Sequence, residues 1–323
     1  MSGWLLRRVG QAVVTVLVAL ALLFVLMRAA PGDPLARLAG DRPLSREELA
    51  ALRARYDTDA PLARQAVNFL SGAVRGDLGV SITYARPVTA LLAERLPATL
   101  LLGGTVLLFN FTVGLWIGVR QAVRRGGVLD RWGGTAALVG YATPSFWLGL
   151  MLAWLVGIRW GLLPVAGLGD PLLSADASLG ARIADRLEHL VLPAVTLCAV
   201  TIATTIRHQR SAMLDALAQP FVQAARARGI SSRRVVWAHA WRNALFPIVT
   251  LVGLWLPILV TGSVFVETVF AWPGLGSLAA EAVATRDYPL LMGTALLVSL
   301  TVVAGTLAAD LGYAALDPRV RLS

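Results

Sequence analysis

The sequence predicts an all-α integral membrane protein with six transmembrane helices and both termini in the cytoplasm, on three observations. Hydrophobic residues make up 57% of the 323 and charged residues only 15%, with a mean hydropathy of +0.68; soluble domains carry about 25% charged residues. Apolar runs of about 20 residues, enough for a helix to cross about 30 Å of hydrocarbon, recur six times. The arginines are segregated by segment, which orients those runs.

The first run, about 9 to 28, follows Arg7 and Arg8. A signal cleaved near Ala29 or Ala30 is the competing reading, but the run exceeds the roughly 7 to 15 residues of a signal core, so a retained helix is expected. Residues 31–96 should form a small extracytoplasmic cap; Ser45 followed by Glu48 is a capping-box signature for a short helix there. The second to sixth runs are about 97 to 119, 133 to 157, 190 to 206, 244 to 266 and 289 to 309, the fourth being the shortest. Their backbones must be satisfied internally, so they are helices, and none alternates like a barrel strand. Gly114 with Gly118, and Gly157 with Gly161, have the GxxxG spacing of close helix packing. Pro193 and Pro257 are expected kinks. The division is therefore 1–30, the cap 31–96, a core 97–310 containing the loop 207–243, and a tail 311–323.

All 29 basic residues are Arg. Fifteen lie before the first run, in 120–132, in 207–243 and after the last run, where the only acidic residues are Asp130, Asp215, Asp310 and Asp317. The positive-inside rule assigns those segments, and hence both termini, to the cytoplasm. The net charge of +10 is then a topology signal, and nucleic acid is not an expected partner.

Catalytic chemistry is poorly supported. A chain without Lys cannot complete a P-loop or form a Schiff base. His189, His208 and His239 match no metal-ligand spacing, no GxSxG elbow occurs, and Cys198 sits within the fourth run as a small packing residue. The expectation is a chain that binds no cofactor or metal and is not an enzyme.

The loop between the fourth and fifth runs is the informative one. Phe221 to Arg228 has the composition of a short helix with Ala224 and Ala225 offering close approach; Gly229 ends it, and Ser231 or Ser232 can cap a second helix. An ordinary basic loop lying on anionic lipid would share that composition.

Here the chain resembles the permease subunits of binding-protein-dependent ABC importers, in the dipeptide, oligopeptide and nickel class. The loop is similar to that family's EAA signature, with Gln223, Ala224, Ala225, Gly229 and Pro247 in its places and AARARGIS and HAWRNALFPIVT close to its wording. Further motifs follow in family order: PGDP from Pro31, GDLG from Gly76, ERLPAT from Glu94, PSFWLG from Pro144, ETVFAWPGLG from Glu267, DYP from Asp287 and DPRVR from Asp317. Two positions depart from the pattern: Gln223 replaces the leading Glu, and Thr306 replaces an Asn four residues before Asp310.

The resemblance implies the type I ABC importer permease fold. It also implies a second homologous permease, two ABC ATPases that use ATP and Mg, an extracytoplasmic substrate-binding protein, and membrane lipid around the bundle. Gln223, Ala224, Ala225, Arg226, Arg228 and Gly229 would form the ATPase-coupling element. Asp33, Asp77, Glu267 and Trp272 are candidates for binding-protein docking or the outer mouth, with Phe270 and Trp272 as an interfacial aromatic pair. Di- or oligopeptide is the default cargo; nickel or its chelate, glutathione and an oligosaccharide are alternatives. Outside the class stand a non-transporting scaffold and a solitary secondary carrier, the latter expected to show inverted repeats and intramembrane charges.

Overall fold

A computed structural model describes residues 2–29, 45–55, 60–174, 176–261 and 263–316. The described residues are mostly helical and contain no strand, only an isolated bridge between Val80 and Pro87. In chain order the helices are α1 (Ser2–Ala29), α2 (Arg46–Arg55), α3 (Leu62–Val74), α4 (Val88–Phe109), α5 (Leu115–Val123), α6 (Val128–Ala142), α7 (Ser145–Leu152) and α8 (Leu179–Leu217). There follow α9 (Pro220–Ala227), α10 (Ser232–Arg234), α11 (Trp241–Ala244), α12 (Phe246–Thr261), α13 (Val264–Val269), α14 (Leu275–Thr285) and α15 (Tyr288–Leu316). Wider π turns at Asn110–Gly114, Ala153–Arg159 and Val235–Ala240 join α4 to α5, extend α7, and join α10 to α11.

Among the described residues, four helical stretches are long and apolar enough to cross a membrane: Leu6–Met27, Val88–Val123, Leu179–Leu217 and Tyr288–Tyr313. The third and fifth expected runs are not single straight helices. Residues Val128–Ala142 and Ser145–Arg159 meet at 102°, and Ser232–Ala244 and Phe246–Trp255 at 51°, so the total reaches six if each bent pair is one span. Both breaks fall beside a proline: Thr143, before Pro144, is extended with ψ 127°, as proline favours in the residue before it, and Pro247, second in α12, has no N–H to donate back across the bend. The fourth run is corrected most: its 190 to 206 lies inside the 39-residue α8, which continues unbroken past Pro193. Its polar ends, Asp185 to Glu188 and Arg207 to Arg210, belong to the same helix as its apolar middle.

α8 is the post on which the bundle packs, against α4, α5, α6 and α7, while α12 pairs with α15 and α1 lies on α15. Close approach needs small residues. A side chain at Gly118 would meet Ile206 O at 2.9 Å, one at Gly140 would meet Ala199 O at 2.5 Å, and one at Gly253 would meet Gly305 O at 2.8 Å. The Gly114 and Gly118 pair thus packs on α8 as its spacing predicts. Gly157 instead faces Val165 of its own returning chain, and Gly161 has φ +63° in open space. Arg8 of the N-terminal Arg pair reaches Asp310 at 2.6 Å, fastening α1 to the far end of α15.

Before α4, the Ser45 capping box forms as expected: Glu48 N–H donates to Ser45 Oγ at 3.1 Å and Ser45 N–H to Glu48 Oε2 at 2.8 Å. α4 begins at Val88 and carries Pro97 within it, so the helix of the second run starts inside the segment expected as cap.

Candidate functional site

The loop of 207–243 folds as a helix, a glycine turn and a second helical stretch. α9 opens on Pro220, whose missing N–H is one a helix start leaves unbonded anyway. It is amphipathic: Val222 and Ala225, one turn apart, are buried, whereas Gln223, Ala224, Arg226, Ala227 and Arg228 are exposed. The helix ends in a Schellman turn, with Gly229 N–H donating to Arg226 O at 2.9 Å and Ile230 N–H to Ala225 O at 3.2 Å. Gly229 has φ +77°, a conformation that costs a side-chain-bearing residue about 1–2 kcal/mol. Ser231 then takes the N-cap position of α10, but its hydroxyl makes no capping bond, contrary to expectation.

Val222 and Ala225 join the apolar cluster of Val119 and Ala122 from α5, Met213 and Ala216 from α8, and Val235 and Ala240 beyond the turn. Beside it, Arg210 of α8 grips Asp130 of α6 through two hydrogen bonds, Nε to Oδ1 at 2.6 Å and Nη2 to Oδ2 at 3.0 Å. Gly126 N–H also donates to Asp130, fixing the turn between α5 and α6. The loop therefore rides on the joined ends of three helices. Of the alanine pair, only Ala224 offers surface to a partner; Ala225 is consumed by packing within the chain.

At the other end of the bundle, ETVFAWPGLG folds over the starts of α4 and α14. Glu267 is fully buried and accepts Ser277 N–H at 2.7 Å and, at 3.5 Å, the Thr99 hydroxyl. It thereby caps the N-terminus of α14 from a different helix. Burial pushes this carboxyl up to about 7, against the opposing effect of the Ser277 and Gly276 amides. Gly274 leaves the necessary room, since a side chain there would meet the Glu267 carboxyl at 2.4 Å. Trp272 donates its indole N–H to Ala98 O at 2.9 Å, and Leu275 N–H donates to Thr99 Oγ1 at 2.7 Å.

These contacts correct two expectations. Phe270 and Trp272 are each 1% exposed, so they are core residues and not an interfacial belt. Glu267 and Trp272 have no surface with which to dock a partner; they shape this end from within. Asp77 is exposed and accepts Gly79 N–H at 2.9 Å, while Asp33 lies outside the described residues.

A second buried carboxylate was not singled out from sequence. Asp287 accepts Leu290 N–H at 3.2 Å, capping α15, and also binds the Ser81 hydroxyl and Thr83 N–H, the latter at 2.9 Å. Nearby, Tyr84 donates to Glu281, and burial with that carboxylate raises the phenol to about 12. Beside it, Leu78 of GDLG and Leu96 of ERLPAT pack on one apolar cluster with Leu275, Ala282 and Leu290, and Pro289 of DYP lies 3.8 Å from a side chain built at Gly79.

This bundle, with a buttressed basic helix between its fourth and fifth long apolar stretches and a densely hydrogen-bonded opposite end, is a multi-pass inner-membrane transport component. Residues 110–322 match the family described as binding-protein-dependent transport system inner membrane component, and residues 1–103 match its N-terminal region. The chain belongs to that family, the permeases of binding-protein-dependent ABC importers. It is 36% identical to the dipeptide transport system permease protein DppB of Escherichia coli (strain K12), over 99% of both chains. It is equally 36% identical, at the same coverage, to the oligopeptide transport system permease protein AppB of Bacillus subtilis (strain 168) and to the glutathione transport system permease protein GsiC of Pectobacterium atrosepticum.

Proposed function

We propose that this chain forms half of the translocation pathway of an ATP-driven importer of di- or oligopeptides. In this reading it spans the membrane six times with both termini cytoplasmic, as the arginine distribution favours. A second homologous permease completes the pathway, an extracytoplasmic binding protein delivers cargo, and two ABC ATPases supply the energy. ATP and Mg act in those partners and the chain itself binds no cofactor. Of residues 31–96, the part ahead of α4 is the outer cap on which the binding protein docks, with Asp77 on its surface.

The carrying observation is the exposed outer face of α9, formed by Gln223, Ala224, Arg226 and Arg228 and held on an apolar bed by Val222, Ala225 and the Gly229 turn. A short rigid helix whose inner face is fixed to three spans transmits a push on its outer face into those spans. Arg226 and Arg228 are suited to charge-assisted bonds with an acidic partner surface. The chain then needs no catalytic group of its own.

The cargo reading rests on relatives named for dipeptide and oligopeptide transport. Glutathione is the second reading, because the relative named for glutathione transport is as similar as the other two. Nickel or its chelate and an oligosaccharide remain further alternatives within the class, and a non-transporting scaffold stands outside it.

The test is ATPase stimulation in the reconstituted complex by binding protein loaded with dipeptide, oligopeptide or glutathione. Ala224→Glu should abolish stimulation while leaving the unfolding temperature of the chain unchanged, since Ala224 faces outward. An unaltered coupling ratio would remove α9 as the transmission element. Absence of copurifying ATPases after crosslinking would favour the scaffold.

A further inference from the structure

Between the end of α5 and the start of the stretch that returns from the α9 turn lies a recess of about 540 Å³, outside the contacts assigned to coupling. Arg120, Arg124 and Arg233 line it together with Trp116 and Trp237, and among the described residues none of its lining is acidic. All five of these side chains are exposed, and the Arg120 guanidinium lies 4.4 Å from the centroid of the Trp116 ring. Stacking of that kind holds an arginine extended while leaving its N–H edge available to an anion.

The recess closes a longer feature. Leu101, Leu108, Phe109, Thr112 and Trp116 are exposed at helical spacing along α4 and α5, and the stripe ends at Arg120, Val123 and Arg124. An apolar face that terminates in tryptophan and then arginine matches a bilayer profile of hydrocarbon, interface and phosphate. A protein partner's acidic groove would not require the apolar stripe to run on without interruption.

We propose that this recess binds the phosphate headgroup of an anionic phospholipid of the cytoplasmic leaflet, with its acyl chains along the exposed stripe of α4 and α5. The assignment rests on the orientation proposed above. Because Arg233 belongs to the loop that carries α9 whereas Arg120 and Arg124 belong to a span, the bound headgroup bridges the coupling loop and the bundle. Lipid charge would thereby bias how firmly the loop is held.

The experiment is native mass spectrometry of the full complex in mild detergent, titrated separately with phosphatidylglycerol and with phosphatidylcholine. A parallel titration with phosphatidylglycerol contains millimolar inorganic phosphate. Phosphatidylglycerol should be retained in preference to phosphatidylcholine, and inorganic phosphate should not displace it. An arginine near a charged membrane surface contributes about a fivefold factor in affinity, so each of Arg120→Gln, Arg124→Gln and Arg233→Gln should weaken retention by about that much. Arg226→Gln with Arg228→Gln, the same loss of charge on α9, should leave retention unchanged. Retention by the three single variants at the wild-type level, equal binding of phosphatidylcholine, or displacement by inorganic phosphate would each overturn the proposal. Lipid retention is read without ATP turnover, so its failure is separate from failure of the importer reading.

Discussion

At the α9 end of the bundle a short helix leans on an apolar bed; at the α14 end, loops are pinned by buried carboxylates. The first arrangement leaves the outward groups of the helix unspent, because Val222 and Ala225 make its contacts with the rest of the chain. The second turns two carboxylates inward, with Glu267 and Asp287 each joining segments distant in sequence. An element meant to receive a partner is better mounted on packing, which tolerates small shifts. An element that must keep its shape is better mounted on directional bonds, whose loss leaves buried polar groups unsatisfied. Even the two Schellman turns differ: α9 ends on Gly229, whereas α14 ends on Arg286 at φ +57°, with Asp287 N–H donating to Ala282 O at 2.9 Å.

The pinned end depends most on Asp287. Asp287→Ala removes the acceptor for Leu290 N–H, Thr83 N–H and the Ser81 hydroxyl together. Unsatisfied buried groups cost about 1–3 kcal/mol each, so the unfolding temperature in detergent should fall by far more than for any loop variant. Asp287→Asn should recover part of that loss, because an amide oxygen still accepts. A substitution to Ala with no thermal effect would mean that the carboxylate is not what holds this end.

Gly229→Val is the counterpart at the other end and should act on coupling more than on folding. Nothing lies within 4 Å of a side chain built there, so the cost is backbone strain alone, about 1–2 kcal/mol. Binding-protein-stimulated ATPase activity should collapse while membrane insertion persists, and Gly229→Asn, which tolerates this conformation better, should keep most of the activity. If Val and Asn behave alike, the turn geometry does not matter for transmission.

The same contrast explains what the sequence revealed. The α9 end is built from local signals, a proline at a helix start and a glycine at φ +77°, and these were legible within a dozen residues. The far end was visible only as unconnected motifs, because its bonds join Thr99 to Glu267 and Ser81 to Asp287 across more than half the chain. Trp272 misled for a related reason: an aromatic beside a Pro-Gly turn resembles an interfacial anchor until Ala98 is found to accept its indole proton. Hydropathy found all the long apolar stretches but not the bend at Pro144, nor that α8 continues past both polar ends of the fourth run. A window average does not register a change of axis, and charges at helix ends read as loop.

The smallest and sharpest consequence concerns pH. The Glu267 carboxyl is raised from 4.5 to about 7 in the folded chain, so between those values the native state holds more protons than the unfolded one. Stability contributed by this group is therefore present below about 4.5 and declines as pH rises through about 7. The unfolding temperature of the wild-type chain should fall between pH 5 and pH 8 by more than that of Glu267→Gln, which cannot titrate. The difference between the two slopes isolates Glu267 from the rest of the chain's titration. Equal slopes would mean that hydrogen bonds from Ser277 and Gly276 outweigh desolvation, and that Glu267 stays ionised as a fixed cap on α14.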